Sequence, residues 1–246
     1  AMIYSTAQLA DKMFTAVLVG NQQQYEEFDS QLGFFTPILK GFLTEMGLEA
    51  ANLGMQVYGG HGYIQEHGME QIARDARIST LYEGTTGIQA LDLLGRKVMV
   101  GTRGKCVRDF TAEVMRFAKP HALSRGPLGK MARSLIWRSL QWNLLTTRLM
   151  MRSAKDRDQV GASSVDYLMY SGYVMMGYHW ALQAAKASEL LGSGAGQAPE
   201  EFYRTKIHTA EFYFARLLPR ADAHQRLAMA STKSLLQIDK AHMQID

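Results

Sequence analysis

The feature that most constrains the fold is an apolar spacing of three and four residues that recurs along nearly the whole chain. In residues 3–20, 36–58 and 127–155, this spacing places the apolar side chains on one side of a helix. Only five prolines occur in 246 residues, and no long alternation of apolar and polar residues is visible. The pattern predicts an all-α protein, a helical bundle followed by a second helical domain.

Several helix ends can be predicted from capping residues. Thr36 and Pro37 predict the start of the helix over residues 36–58, and the polar residues 21–30 indicate either an exposed helical continuation or a loop. A short helix is expected over residues 69–78. After a break at residues 82–85, Thr85 is predicted to cap a further helix, one face of which carries Ile88, Leu91, Leu94 and Val98.

The most apolar segment covers residues 163–191 and is rich in Tyr and Met. Glycines, His179 and repeated tyrosines interrupt it, so no clean apolar run of about 20 residues exists, as a membrane-spanning helix needs. The segment is therefore predicted to be the central buried helix of the second unit. His179, like His208, falls within a helical pattern and is interpreted as a satisfied or surface histidine.

The charge of the chain changes sign near residue 100. Residues 1–100 contain 6 Lys and Arg against 11 Asp and Glu, whereas residues 101–246 contain 21 against 12. This change predicts two units, residues 1–102 and 103–246. Either a basic surface meets an acidic one within the protein, or the second unit contacts a polyanion such as nucleic acid, a membrane or a phosphorylated ligand.

The chain has a single cysteine, Cys106. A disulfide within the chain and a metal cluster built on cysteines are both excluded, and no metal site is expected. A lone cysteine also favours a reducing compartment, so a cytoplasmic location is expected.

Two short motifs carry candidate chemistry, and each alone is ambiguous. Residues 56–63 read QVYGGHGY, where glycines allow a backbone to approach a ligand closely, although for these glycines alone a helix end and a turn are the simpler explanation. Glu83 lies in LYEGT between apolar stretches. It is either a solvated acid in a first helical turn or a carboxylate at a packed junction, where it could act as a base.

In combination these motifs are specific. QVYGGHGY, then RDARI, then LYEGT, in this order and spacing, resemble the acyl-CoA dehydrogenase family over residues 1 to about 100. Residues 105–246 look like the helical extension of the long bacterial members, those resembling the 3-methylmercaptopropionyl-CoA dehydrogenases. The resemblance implies a flavoenzyme that uses FAD and oxidises an acyl-CoA thioester to the trans-2-enoyl-CoA.

The resemblance also implies roles for single residues. By matching position, Glu83 removes the α-proton while the β-hydrogen leaves as hydride to flavin N5. The cofactor-binding residues it implies are Gln56, Gly59, Gly60 and Thr85, and the substrate-binding residues are Tyr82 and Gly84. Many members carry a flavin-contacting glutamine where this chain has Gly87, so that contact is not carried over. Arg74 and Asp75 are expected to form a structural ion pair.

The family's N-terminal helical domain and β domain are not recognised in the sequence, so we expect a C-terminal part of a longer enzyme that is inactive alone. The implied partners are an acyl-CoA substrate, an electron-transfer flavoprotein as acceptor, and further copies in a homodimer or homotetramer. A peripheral membrane contact stays open, and nucleic acid is not expected. Three alternatives are a nucleic-acid-associated flavoprotein of the alkylation-response type, an acyl-CoA oxidase, and a purely structural dimerisation module.

Overall fold

The computed structural model describes residues 1–237, and within them it contains helices and turns but no strand. The predicted all-α fold is therefore confirmed. The helices are α1 Met2–Leu18, α2 Gln22–Val57, α3 Met69–Ile78, α4 Thr86–Leu91, α5 Lys105–His121, α6 Pro127–Ser153, α7 Asp158–Ser193, α8 Glu200–Phe212, α9 Arg220–Ala228 and α10 Lys233–Leu236. Two 3-10 turns, Gly59–Gly62 and Gln65–His67, follow α2, and π-helical segments Asp92–Gly101 and Tyr213–Leu217 extend α4 and α8.

The predicted helix start at Thr36 and Pro37 is wrong. Helix α2 begins at Gln22, where the Asn21 side chain accepts a hydrogen bond from the backbone N–H of Gln24 at 3.1 Å, and it continues through Pro37. Burial of Pro37 with Phe34, Ile38 and Phe42 explains the continuity, because core packing outweighs the single backbone hydrogen bond that proline lacks. Residues 22–30 are thus the helical continuation, and most of them are exposed.

The predicted common face after Thr85 holds only in part. Leu94 and Val98 are buried, whereas Ile88 and Leu91 are exposed. The physical reason is the π-helical segment Asp92–Gly101, whose wider turns shift its own side chains, Leu94 and Val98 among them, relative to those of α4.

Helix α7 is the central buried helix that the sequence predicted. The hydroxyl of Tyr170 donates to the carbonyl oxygen of Arg138 at 2.7 Å, and that of Tyr167 lies 2.7 Å from the Thr146 hydroxyl oxygen. Phe42 of α2 packs edge-on against Tyr173 at 4.9 Å between ring centroids. Among residues 1–237, no helix is long and apolar enough to cross a membrane.

The division at about residue 102 stays a prediction, and the last part of the second unit, residues 238–246, lies outside the described residues. Side chains from both sides of the division share one apolar core. Phe34 of α2, for example, lies 5.9 Å from Trp142 of α6 between ring centroids. Helix α2 is therefore packed directly on the second unit.

Candidate active site

The glutamate of LYEGT lies on a tight turn between α3 and α4. Glu83 has a φ of 48° and Gly84 a φ of 93°, so two successive residues adopt left-handed backbone conformations. Such a conformation is uncommon for a residue with a side chain. A Cβ atom at Gly84 would lie 2.2 Å from the side-chain nitrogen of Gln89, the end of a flexible side chain that can move aside, so the φ of 93° is what favours glycine here. The turn therefore displays Glu83 in one defined backbone geometry.

Thr85 ends the turn and starts the next helix. Its hydroxyl oxygen accepts a hydrogen bond from the backbone N–H of Ile88 at 3.4 Å, so the predicted N-cap is confirmed. The cap fixes where α4 begins, and with it the distance along the chain from Glu83 to the first helical turn.

Helix α2 holds the turn from one side. The ammonium of Lys40 donates a hydrogen bond to the carbonyl oxygen of Ser79, the residue that ends α3, and lies 4.8 Å from the centre of the Tyr82 ring. The helix dipole favours a cation at the C-terminal end of α3, and the face of the Tyr82 ring attracts the same cation. Five residues further along α2, the carboxylate of Glu45 accepts a hydrogen bond from the Thr86 hydroxyl at 2.5 Å.

Sequence reasoning missed the two supporting side chains, Lys40 and Glu45. Lys40 and Glu45 precede the turn by 39 and 41 residues, counted to Ser79 and Thr86. They sit in a helix whose pattern showed only its apolar stripe. No local signal links them to the turn, although both project from the same helix one and a half turns apart.

The structure places Glu83 in solvent rather than at a packed junction. Glu83 is exposed, and so are its neighbours Leu81 and Tyr82, each with about half of its surface accessible at 51% and 50%. The expectation of a junction rested on flanking apolar residues, but within residues 1–237 those side chains point outward. Apolar surface of Leu81 and Tyr82 therefore lies open next to Glu83 in the turn.

The glycine loop forms the other candidate element. Gln56 lies exposed in the last turn of α2, Gly59 with a φ of 60° ends that helix, and Gly60 has open space around it. Gly62 is different, because a Cβ atom there would lie 2.3 Å from the carbonyl oxygen of Met55. The loop is thus folded tightly onto the end of α2 and leaves the amide of Gln56 accessible.

The glycine loop and the glutamate turn are not brought side by side. Eleven residues of α2 separate Glu45 from Gln56, a distance of about 16 Å at 1.5 Å per residue. A groove of about 1060 Å³ between α2 and α3 connects the two elements, lined among others by Met55 and Tyr63 near the loop and by Leu81 near the turn. The two elements therefore lie along one continuous surface.

The expected ion pair between Arg74 and Asp75 is wrong. Consecutive residues of a helix point in different directions, and the carboxylate of Asp75 instead accepts a hydrogen bond from the side chain of Gln71 at 2.7 Å. Arg74 lines the groove together with Arg77, whose guanidinium donates to the Thr80 hydroxyl at 3.2 Å. The groove thus carries two guanidinium groups.

The two histidines behave as interpreted. His208 is exposed on α8. His179 is buried in α7, where its Nε2 lies 3.4 Å from the Ser5 hydroxyl, and burial lowers its pKa to about 4. His179 is therefore a neutral core histidine near neutral pH.

Sequence comparisons cover both parts of the chain. The family profile described as "Acyl-CoA dehydrogenase, C-terminal domain" matches residues 3–99, and the profile described as "Acetyl-CoA dehydrogenase C-terminal like" matches residues 110–239. The chain belongs to the acyl-CoA dehydrogenase family. The resemblance seen in QVYGGHGY, RDARI and LYEGT is thereby confirmed.

Curated relatives extend over most of the chain. The 3-methylmercaptopropionyl-CoA dehydrogenase of Ruegeria pomeroyi is 37% identical over 216 residues, covering 85% of this chain and 35% of the relative. The broad-specificity linear acyl-CoA dehydrogenase FadE5 of Mycobacterium tuberculosis is 30% identical, covering 83% and 34%. A butyryl-CoA dehydrogenase of Syntrophomonas wolfei is 28% identical, covering 89% and 35%. The chain therefore spans about a third of the length of these relatives.

Proposed function

We propose that this chain supplies the catalytic base and one edge of the flavin site of an FAD-dependent acyl-CoA dehydrogenase. The reaction is the α,β-dehydrogenation of an acyl-CoA thioester to the trans-2-enoyl-CoA. The observation that carries the proposal is the exposed left-handed turn at Glu83, held by Lys40 and Glu45 in a chain of this family. A turn with this strain and this support is typical of a functional position.

In the proposed mechanism, the Glu83 carboxylate accepts the α-proton of the thioester. The backbone of Glu83 and Gly84 sets the direction of the carboxylate, and the Thr85 cap and the Thr86 contact with Glu45 keep the turn from rearranging. Positioning of this kind is a large part of what general bases contribute. Tyr82 and Gly84, on either side of the base, are proposed to contact the substrate.

The residues of the glycine loop and of the α4 cap fit an edge of a flavin site. Gly59 and Gly60 have no side chain, lie exposed and leave room for a dinucleotide against their backbone, and the Gln56 amide is accessible beside them. Bound FAD supplies the acceptor for the β-hydride. Thr85 is proposed to face the same cofactor from the start of α4, so the chain offers two separated contacts rather than a closed pocket.

The remaining assignments follow from the family. We propose an acyl-CoA substrate, an electron-transfer flavoprotein as electron acceptor, a homodimer or homotetramer, and a reducing cytoplasmic location. The buried free thiol of Cys106 accords with that location. The 246-residue chain alone is proposed to be inactive, since Glu83 is open to solvent.

The test is Glu83→Gln in the flavoenzyme that contains this chain. Glutamine keeps the size of the side chain but cannot accept the proton, so kcat should fall by at least about a hundredfold. The flavin absorbance should stay unchanged. Glu27→Gln is the matched control, because Glu27 is an exposed acid on α2 and is not part of the turn that carries Glu83. Equal turnover in Glu83→Gln and in the control would place the base elsewhere.

The proposed inactivity of the chain alone has its own measurement. The purified 246-residue chain should bind no stoichiometric flavin and form no enoyl-CoA with an artificial electron acceptor. Yellow, flavin-loaded chain that turns over acyl-CoA would contradict this part of the proposal without affecting the role of Glu83.

A further inference from the structure

Helix α6 lies in a stretch of the chain whose charged residues are all basic. Residues 114–155 hold nine Lys and Arg and no Asp or Glu. The first carboxylate after them, Asp156, already accepts hydrogen bonds from the Thr232 hydroxyl at 2.7 Å and from the backbone N–H of Asp158 at 3.1 Å. The cations of this segment therefore have no acid in their own stretch of chain.

The outer face of α6 carries a regular stripe of exposed side chains. Their positions repeat with alternating steps of three and four residues, and every one is exposed in the structure: Lys130, Arg133, Trp137, Leu140, Leu144, Thr147 and Met151. Its apolar side chains are well exposed, since Trp137 is 61% and Met151 59% accessible. We call these seven residues the α6 seam. Their spacing is that of the a and d positions of a heptad, which pack against another helix.

The seam is not the side by which α6 packs into its own domain. The opposite side of α6 buries Trp142, Leu145 and Leu149 in the core, where they are at most 1% accessible. Around the helix, the apolar part of the seam covers only the a and d positions of each heptad. This width is typical of a coiled-coil contact and is narrower than the apolar face of a helix that lies in a membrane. The seam therefore favours a helix as its occupant.

Charge identifies the kind of helix. Lys130 and Arg133 occupy one end of the seam, and Arg148 and Lys155 lie in flanking positions toward the other end. None of the four takes part in the ion pairs found within residues 1–237. Arg133 does donate to the carbonyl oxygens of Ala122 and Ser124, at 2.7 and 3.1 Å, which fixes its position but leaves its charge uncompensated.

A groove marks the second end of the seam. It has a volume of about 420 Å³ and is lined by Arg148, Met151, Arg152, Lys155 and Met229. The guanidinium of Arg152 donates to the carbonyl oxygen of Met229 at 2.6 Å and holds α6 against the end of α9. An acidic side chain of a docked helix would meet three cations in this groove.

We propose that the α6 seam docks an acidic amphipathic helix of a partner protein. Leucine-type side chains of that helix pack on Trp137, Leu140, Leu144 and Met151, and its acids face the flanking cations. A second copy of α6 does not fit, because every charged residue in and beside its seam is a cation and would face the cations of the first copy. A nucleic acid does not use the apolar middle of the seam. The proposal does not depend on the chemistry of Glu83.

The experiment uses two four-heptad peptides as probes. Both carry Leu at a and d; one has Glu at e and g, and the other has Lys there. Fluorescence anisotropy of the labelled Glu peptide should show saturable binding to the 246-residue chain that weakens with salt, whereas the Lys peptide should bind at least about tenfold more weakly.

Two variants locate the contact. Leu144→Glu puts a charge in the middle of the seam and should weaken binding of the Glu peptide at least about tenfold. Phe202→Glu is the matched control, because Phe202 is a similarly exposed apolar residue on α8, and it should leave the affinity unchanged. Both positions face solvent, so circular dichroism should show folded proteins.

Four results would overturn the proposal. They are absence of saturable binding by the Glu peptide, equal binding of the Lys peptide, full affinity in Leu144→Glu, and self-association of the chain that Leu144→Glu abolishes. Vesicles of anionic phospholipid give the remaining comparison. If they bind the chain through Leu144 and the Glu peptide does not, the occupant of the seam is a membrane instead.

Discussion

Substitution of Gly172 by alanine tests how α2 is fixed against α7. A Cβ atom at Gly172 would lie 2.1 Å from Cγ, 2.3 Å from Cδ2 and 2.6 Å from Cβ of Phe42. Phe42 is fully buried and packs edge-on against Tyr173. Because Cβ of Phe42 is itself among the clashing atoms, a new rotamer cannot relieve the contact, and the two helix backbones must separate.

The expected magnitude follows from two opposing effects. Overpacking of a core costs about 1–3 kcal/mol, and a clash that needs backbone movement lies near the upper limit. Alanine in place of glycine inside a helix stabilises the helix by about 1 kcal/mol. The free energy of unfolding should therefore fall by about 2 kcal/mol, and Tm by about 4–8 °C for a chain of this size.

The assay is urea and thermal unfolding of the 246-residue chain, followed by circular dichroism. Gly161→Ala is the matched control on the same helix, since no atom lies within 4 Å of a Cβ there. It should stabilise the chain by up to about 1 kcal/mol. In a Phe42→Ala background, Gly172→Ala should cost less than in the wild type, because two of the three clashing atoms are absent.

The outcome that refutes this reasoning is a Gly172→Ala protein at least as stable as the wild type. Equal shifts in Gly172→Ala and Gly161→Ala would refute it as well. Either result would mean that the close approach of Phe42 on α2 to Gly172 on α7 does not limit the stability of the chain.

Two further predictions concern the glutamate turn and the buried histidine. Gly84→Ala should lower the free energy of unfolding by about 1–2 kcal/mol, because a φ of 93° strains any residue with a side chain. Gly87→Ala, which has open space around it, should not, and equal Tm values for the two variants would contradict this. Because the pKa of His179 is lowered by burial to about 4, stability should fall by up to about 3 kcal/mol as pH drops from 6.5 to 4. This component should vanish in His179→Gln but persist in His208→Gln, as urea unfolding at several pH values will show.

The helix ends that the sequence predicted correctly are those set by local chemistry. The helix over residues 69–78 was predicted with the bounds found, and Thr85 caps α4 as expected. Both depend on residues within a few positions of the helix end. Local signals failed at Pro37, where burial of neighbouring side chains keeps α2 continuous through a residue that usually ends or begins a helix.

In the candidate site, too, features set by residues close in sequence could be predicted, whereas contacts between residues far apart in sequence could not. The motif identifies Glu83 and the glycine loop as candidates, because their order and spacing are visible in one stretch of sequence, and their roles stay predictions. The support from Lys40 and Glu45 could not be predicted, since it depends on how α2 crosses the turn about forty residues later. The Arg74 and Asp75 pair failed for a simple reason, because adjacent helix positions diverge.

The exposure of Glu83 indicates how the site is completed. A base that takes a proton from a weakly acidic carbon works best where water is excluded, and the turn alone does not exclude it. Leu81, Tyr82 and Ile88 leave apolar surface open beside the carboxylate, and such a surface favours burial by a neighbouring domain or subunit. For the base proposed at Glu83, α2 and the Gly84 turn supply the backbone geometry, and the surfaces proposed to cover the carboxylate would set its solvation. The two contributions can be measured separately. Gly84→Ala changes the backbone geometry of the turn and can be studied in this chain alone, whereas the effect of Glu83→Gln on turnover is measured only in the enzyme in which the carboxylate is also covered.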